Sequence, residues 1–339
     1  MTAKNLQTWH PAEAISVCQP PSLSNGGYLL LDPGAFPDDG QLTSLNARVC
    51  VPTNWSKDFV GLPVLVDLDQ CEADQTEWLT SVLGEEHQMQ LCVPLIRPRV
   101  CALLRSSLSM DAIVLRLSQQ MLVLPSDESG NRAGRGALWR FFDPRVFANL
   151  CWLLEPDQLA TLSHPVSTWI FPWFGNWFEL NLPMGVPVPD IKTKERVAGF
   201  SPINIEVWER AQRIALINQV LARLALPRDL PWWQRASLAM RIEVALVMAR
   251  DRLRWDQSED QMRYAEHVMR CGPEFLNHPK LAPYWMLRDK EKTSGGWKDL
   301  VALLTALEYD VLEKWPLDIS QVLAPAEISN IGTLEMRHP

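Results

Sequence analysis

The chain has 339 residues, enough for one large or two ordinary domains. Hydrophobic residues make up 47% and charged residues 21%, which excludes wholesale disorder. The net charge of -8 repels phosphate backbones and speaks against general nucleic-acid binding, and no apolar run approaches the ~18 residues of a membrane span. The seven cysteines (18, 50, 71, 92, 101, 151 and 271) are scattered and form no C-x-x-C pair. Reduced, mostly buried thiols in a cytoplasm are expected, and the start Met1 to Leu6 offers no apolar signal region. The 15 tryptophans either fill cores or anchor interfaces, since an indole buries a large area at low entropic cost.

In chain order, the breaker Gly26-Gly27 precedes Tyr28 to Leu31, a short apolar run closed by Asp32-Pro33-Gly34. This predicts a buried strand ending in a turn. Leu62 to Leu68 and Gln90 to Ile96 are further strand candidates. Ser109 is placed to cap a helix through Ile113 and Leu117, followed by a strand at Met121 to Leu124. Ser126 to Gly136 is polar and Gly-rich, hence a surface loop, and Ala137 to Phe142 is predicted as a strand.

Asp143-Pro144 is the clearest local signal. A carboxylate at the N-cap accepts hydrogen bonds from the first free amides, and proline at the first helical position lacks an N–H that would be unsatisfied anyway. Val146, Leu150 and Leu153 or Leu154 then recur at helical spacing, and Arg140 or Arg145 is near enough to pair with Asp143. After an aromatic-rich stretch, Leu159 to Trp177, the Pro-rich run Leu182 to Ile203 reads as a linker. The expected architecture is an α+β N-terminal lobe over residues 1–182, a linker over 183–203, and an all-α lobe over 204–339. In that lobe one helix spans Glu206 to Leu226, and a second opens at Pro231 and runs to about Trp255. A third carries a Ser258/Gln261 capping box and stops at Gly272-Pro273. The last has Trp297, Leu300, Leu304, Leu307, Val311 and Trp315 on one face. The tail beyond Pro316 has weak pattern.

Signals for chemistry are sparse. The sequence holds no P-loop, G-x-G-x-x-G, H-E-x-x-H or G-x-S-x-G motif, and its six histidines are well separated. No catalytic, cofactor-binding or metal-binding residue is therefore assigned. His267 and Cys271 share a helix face, but a Cys–His dyad also needs an orienting group and a cleft, so an ordinary helix pair is the expected reading. Between Arg97 and Arg145 eight arginines stand against four acids, a local net charge of +4. That is either a basic groove for a carboxylate- or phosphate-bearing partner or a solvated set with scattered ion pairs.

The segment Ala137-Leu-Trp-Arg-Phe-Phe-Asp-Pro-Arg-Val146 resembles the F-R-[FY]-[FY]-D-P-R-[VT] signature of the type VI secretion effector-chaperone (adaptor) family. Other pieces agree in order: Tyr28-Leu-Leu-Leu-Asp32 is similar to the family's Y-x-L-L-D strand, and Pro63-Val-Leu-Val66 to its A-P-x-L-V segment. Leu115-Arg116 is similar to its H-L-R, and Leu159 to Trp177 to the segment after the signature. Val114 replaces the usual His, and Trp139 stands as the aromatic before the signature Arg. The likeness covers about Tyr28 to Leu180.

The resemblance marks Tyr28, Asp32, Arg116, Trp139, Arg140, Phe141, Phe142, Asp143, Pro144 and Arg145 as signature residues with a structural role. It implies a cytoplasmic bacterial chaperone that catalyses nothing, binds an effector toxin and loads it onto the VgrG spike. No nucleic acid, membrane or cofactor is implied as partner. The rival expectation is a hydrolase or nuclease with a site assembled from distant residues; a third is a passive structural subunit of the same machine.

Overall fold

In a computed structural model of the protein the described residues are 15–36, 40–52, 55, 61–127, 136–182, 201–272, 296–297 and 300. The chain divides into two units, one of residues 1–215 with 227–233 and one of residues 216–226 with 234–339.

The first unit is of mixed α/β content. A seven-stranded antiparallel sheet is formed by β1 (Ile15–Cys18), β2 (Tyr28–Leu31), β3 (Ala47–Val49), β4 (Val64–Asp67), β5 (Val100–Arg105), β8 (Thr168–Trp173) and β9 (Asn176–Asn181). Its strand order is β1-β9-β8-β5-β2-β4-β3. A second sheet has β6 (Leu122–Ser126) between β7 (Ala137–Leu138), antiparallel to it, and β10 (Ser201–Asn204), parallel to it. The helices of this part are α1 (Gly40–Ser44), α2 (Ala73–Cys92), α3 (Met110–Gln120), α4 (Pro144–Leu153), α5 (Pro156–Ser163) and α6 (Ile205–Gln212). They are followed by α7 (Ile214–Arg223), α8 (Trp232–Asp251) and α9 (Ser258–Cys271).

Side chains alternate across a strand, so a sheet covered on both faces needs apolar residues at successive positions. Leu29, Leu30 and Leu31 of β2 are all fully buried. Leu29, Leu31, Ile170 and Trp177 join Leu79, Val82 and Leu83 of α2 in one core cluster. On β8 the neighbours of Ile170 face the other way. The Trp169 ring stacks on Phe147 of α4 at 4.5 Å, and Phe171 meets Phe147 edge-on at 5.1 Å. The β8–β9 hairpin turns through Phe174 (φ 51) and Gly175 (φ 73), the two positive φ values that the twist of a tight hairpin requires.

In the second unit Ile217, Val220, Leu221, Leu238, Ile242 and Leu246 are buried. Trp255 lies edge-on to Tyr264 at 5.7 Å. Arg223 pairs with Glu259 at 2.8 Å, and Arg270 with Glu266 at 3.2 Å.

The strand read at Tyr28–Leu31 forms with those bounds, and those at Leu62–Leu68 and Met121–Leu124 form as β4 and β6. Gln90 to Ile96 is not a strand: it is the last turn of α2 and the turn that follows. Glu86 and Gln90 take core positions of α2 and satisfy each other at 2.7 Å, so polar letters interrupt the apolar period that would have announced a helix. Ala137 to Phe142 is strand only at Ala137–Leu138, because the chain then turns, with the Asp143 N–H donating to the Arg140 carbonyl at 3.0 Å. Glu206 to Leu226 is two helices, α6 and α7, parted at Arg213. Residues 201–204, the end of the stretch read as linker, form β10.

Ser109 and the start of α9 fall where expected, without the side-chain caps. Neither Ser109 nor the Gln257 cap donates or accepts a capping bond, and Gln261 instead donates to the Trp255 carbonyl at 2.7 Å. Gly272 (φ 76) closes α9 as expected. Most of the Ser126–Gly136 loop, residues 183–200 of the linker and nearly all of the last expected helix lie outside the described residues.

Candidate functional site

The signature residues meet at the end of β2. Asp32 follows the strand directly, and its buried carboxylate accepts four hydrogen bonds. Oδ1 takes the Gly34 N–H at 3.1 Å and Arg97 Nη2 at 2.8 Å; Oδ2 takes Arg97 Nε at 2.9 Å and Arg140 Nη2 at 2.8 Å. Arg97 thus grips it as a fork, the geometry a guanidinium offers and an ammonium cannot. A Cβ on Gly34 would fall 2.4 Å from Arg97 Nη2, so glycine is needed there to seat the fork. Arg140 also donates to the Gly61 carbonyl at 3.1 Å, and its guanidinium lies 5.0 Å from the Phe142 ring centroid.

Beside this lies a second pair. Asp143 caps α4 by accepting the Arg145 N–H at 3.0 Å, with Pro144 as the first helical residue. The Arg145 side chain returns to the same carboxylate through Nε at 3.0 Å and Nη2 at 2.7 Å. Its Nη1 donates to the Leu95 carbonyl at 2.8 Å. The two aspartates therefore tie together β2, the turn after α2, the Gly61 bend and the start of α4.

Burial pushes the Cys101 thiol well up, with the Asp32 and Asp143 carboxylates adding to the effect. Hydrogen bonding to Asp32 raises Arg97. Burial works to lower Arg145, but its bonds to Asp143 outweigh it, and the net shift is upward. The lone pairs of both carboxylates are taken up by N–H donors of the chain itself. What this arrangement does chemically is clamp.

Of the expected signature residues, the structure brings Asp32, Arg140, Phe142, Asp143, Pro144 and Arg145 into this cluster. Phe141 is buried beside it, 6.5 Å from Trp169, with the half-buried Trp139 edge-on at 6.3 Å. Tyr28 sits at the opposite end of β2, where its hydroxyl donates to the Leu108 carbonyl at 2.8 Å. Arg116 is exposed on α3. Arg97 was read only as one of the Arg-rich stretch and Gly34 only as part of the Asp-Pro-Gly turn; that Arg97, 65 positions on, is the partner of Asp32 was not visible.

The Arg-rich stretch is largely drawn into such pairs, with Arg99 on Glu85 at 3.0 Å as a fourth example, while Arg132 and Arg135 lie outside the described residues. His267 is buried, its Nδ1 2.8 Å from the Arg263 carbonyl and its ring 4.4 Å from Trp297; the Cys271 side chain lies outside the described residues. Among the described residues no three His, Cys, Asp or Glu side chains are grouped to hold a metal ion, and no helix is long and apolar enough to cross a membrane.

Two outcomes follow. Asp143→Ala removes a cap and strands Arg145, so the loss should be about 1 kcal/mol for the cap and more with the ion pair. The melting temperature should fall while partner contacts persist; an unchanged melting temperature with lost binding would make Asp143 an interface residue. Native thiol labelling near neutral pH should modify exposed Cys92 first. Burial pushes Cys18 up to about 11 and Cys50 to about 12, and it also pushes the enclosed Cys101 and Cys151 well up, so these four should stay protected until unfolding. Mass spectrometry of partly labelled protein checks the order.

Comparison with protein-family models, with curated proteins and with solved structures finds no match.

Proposed function

We propose that this chain is a non-enzymatic, cytoplasmic chaperone of type VI secretion that binds an effector toxin and helps load it onto the VgrG spike. The observation that carries the reading is the convergence of Asp32, Arg140, Asp143 and Arg145. They come from two stretches more than a hundred residues apart, both part of the family likeness, and they form two adjacent ion pairs whose carboxylates are buried. A signature that builds a clamp accounts for its own residues without a reaction.

The same reading assigns the more general contact, to the spike or the effector's leading region, to the family-like part. It gives choice of effector to an all-α C-terminal lobe. Trp233, 49% exposed and within the first unit although it opens α8, is the kind of aromatic anchor the more general contact uses.

The test is purification of the tagged full-length chain from its own bacterium, with bound proteins identified by mass. An effector and VgrG are expected to co-purify, and binding anchored by aromatics should survive raised salt better than a charge-driven contact would. Recovery of neither, from cells with an active secretion machine, would overturn the reading.

A further inference from the structure

We propose that Glu86 and Gln90 form a proton-operated latch that holds the tip of the β8–β9 hairpin against α2. Both side chains are buried on the inward side of α2, 1% and 4% exposed. Polar groups so enclosed need the bonds they make. Here the bonds converge on one carboxylate. The Gly175 N–H donates to Gln90 Oε1 at 3.4 Å, and Gln90 Nε2 donates to Glu86 Oε1 at 2.7 Å. From the other side the Arg99 N–H donates to Glu86 Oε2 at 2.9 Å.

The tip is a place where a latch matters. Phe174 (φ 51) and Gly175 (φ 73) both take left-handed backbone, which is strained for Phe174. A Cβ on Gly175 would fall 2.6 Å from Leu91 Cδ2, so the tip is pressed onto the last turn of α2. The next residue, Asn176, holds the Arg228 carbonyl at 2.6 Å. A shift of the tip is thereby passed to that segment.

The proton state of Glu86 fixes the orientation of Gln90. A carboxylate only accepts, so it faces the Gln90 NH2 group and leaves the Gln90 oxygen to Gly175. A neutral carboxyl must place one hydrogen. On Oε2 that hydrogen would meet the Arg99 N–H, a backbone donor that cannot turn, with Arg99 Nε a further donor at 3.8 Å. On Oε1 it meets an amide that can turn over and offer its oxygen. Gln90 then presents its NH2 group to the Gly175 N–H, donor against donor, and the tip loses its bond.

The surroundings set where this happens. Burial raises the Glu86 carboxyl above its ordinary value; the bonds from Gln90, Arg99 and Val100 and the Arg99 charge offset only part of that. Arg99 is shared with Glu85 at 3.0 Å. From β5 the Cys101 thiol also feels the Glu86 charge, and burial keeps that thiol protonated. His87 follows Glu86 on α2, its buried Nδ1 without a partner among the described residues. A carboxyl raised by folding contributes stability that is complete below its unfolded value and lost as the pH rises through its folded value. Acidification therefore opens the latch without this group destabilising the fold.

NMR on the full chain tests this. Isotope labels on the phenylalanine carbonyl and the glycine nitrogen together select Phe174–Gly175, the one Phe-Gly step in the sequence. As the pH falls from about 8 toward the ordinary glutamate value of about 4.3, the Gly175 amide proton should move upfield, with one midpoint above that value. Its exchange with water, corrected for pH, should rise roughly 5–10-fold, as one lost hydrogen bond requires. Glu86→Gln is neutral and of the same shape. Its oxygen must face the Arg99 N–H, so it should show the acid-state signal already at about pH 7.5 and no titration. Gln90→Leu, which breaks the relay at its middle, should abolish the titration as well. Three results would each overturn the proposal: a native Gly175 signal unmoved by pH, the native signal unchanged in Glu86→Gln at about pH 7.5, or a titration that persists in either variant, as one driven by His87 would.

Discussion

Asp32→Ala should lower the melting temperature by roughly 6–12 °C. Removing one partner of a buried ion pair costs about 3–5 kcal/mol, because the other charge is left without compensation. Here the Asp32 side chain is 1% exposed, but Arg97 and Arg140 are 43% and 33% exposed and can turn toward water. The lower end, about 3 kcal/mol, is therefore expected, and each kcal/mol moves a chain of this size by roughly 2–4 °C. The Gly34 N–H and the Gly61 carbonyl lose their arrangement as well, so the turn after β2 should exchange its amides faster. Calorimetry checks the first point and hydrogen exchange the second. An unshifted melting temperature would mean that the cluster does not hold the fold.

Trp169→Ala should be the more damaging change, about 3–5 kcal/mol for an enclosed aromatic truncated to a methyl. Trp169 is fully buried and touches Phe147 and Phe141. It joins β8 to α4, so its loss opens a cavity between sheet and helix. Denaturant melts of the full chain give the magnitude. Trp233→Ala is the control: an exposed side chain outside the core should change stability by about 0.5 kcal/mol or less. Under the proposed function Trp233→Ala weakens a partner contact at constant stability, whereas Trp169→Ala lowers both together.

These two tryptophans show where the sequence was not legible. Trp169 lies in a stretch read only as aromatic-rich, and all six residues of its strand are buried, so alternation does not set it apart. Trp233, one letter beyond buried Trp232, carries no local mark that separates it. The Asp143-Pro144 start of α4 was readable because cap, proline and helical period lie within a dozen residues. The end of α2 was not, because the residues that fill its core positions, Glu86 and Gln90, are polar and are satisfied by partners far along the chain: the Arg99 N–H donates to Glu86 at 2.9 Å and the Gly175 N–H to Gln90 at 3.4 Å. The site divides the same way. The Asp143–Arg145 pair spans two positions and was one of the two pairings anticipated, the other, with Arg140, being taken instead by Asp32. The Asp32–Arg97 and Asp32–Arg140 pairs span 65 and 108 positions and exist only after β2 and β5 have paired.

The division of the chain into interleaved units has a consequence for biosynthesis. Residues 227–233 belong to the first unit although 216–226 belong to the second. The returning piece is fastened: the Asn176 side chain donates to the Arg228 carbonyl at 2.6 Å, and Leu230 and Trp232 are buried. A nascent chain emerges from its N-terminus, so domains ordinarily finish in order of synthesis. Here the seven-stranded sheet is fully translated at Asn181, yet its unit waits some fifty residues more for its last segment. Until Trp233 has left the ribosome, the first unit carries an unfilled place on its surface, and by then the opening helix of the second unit has already been made.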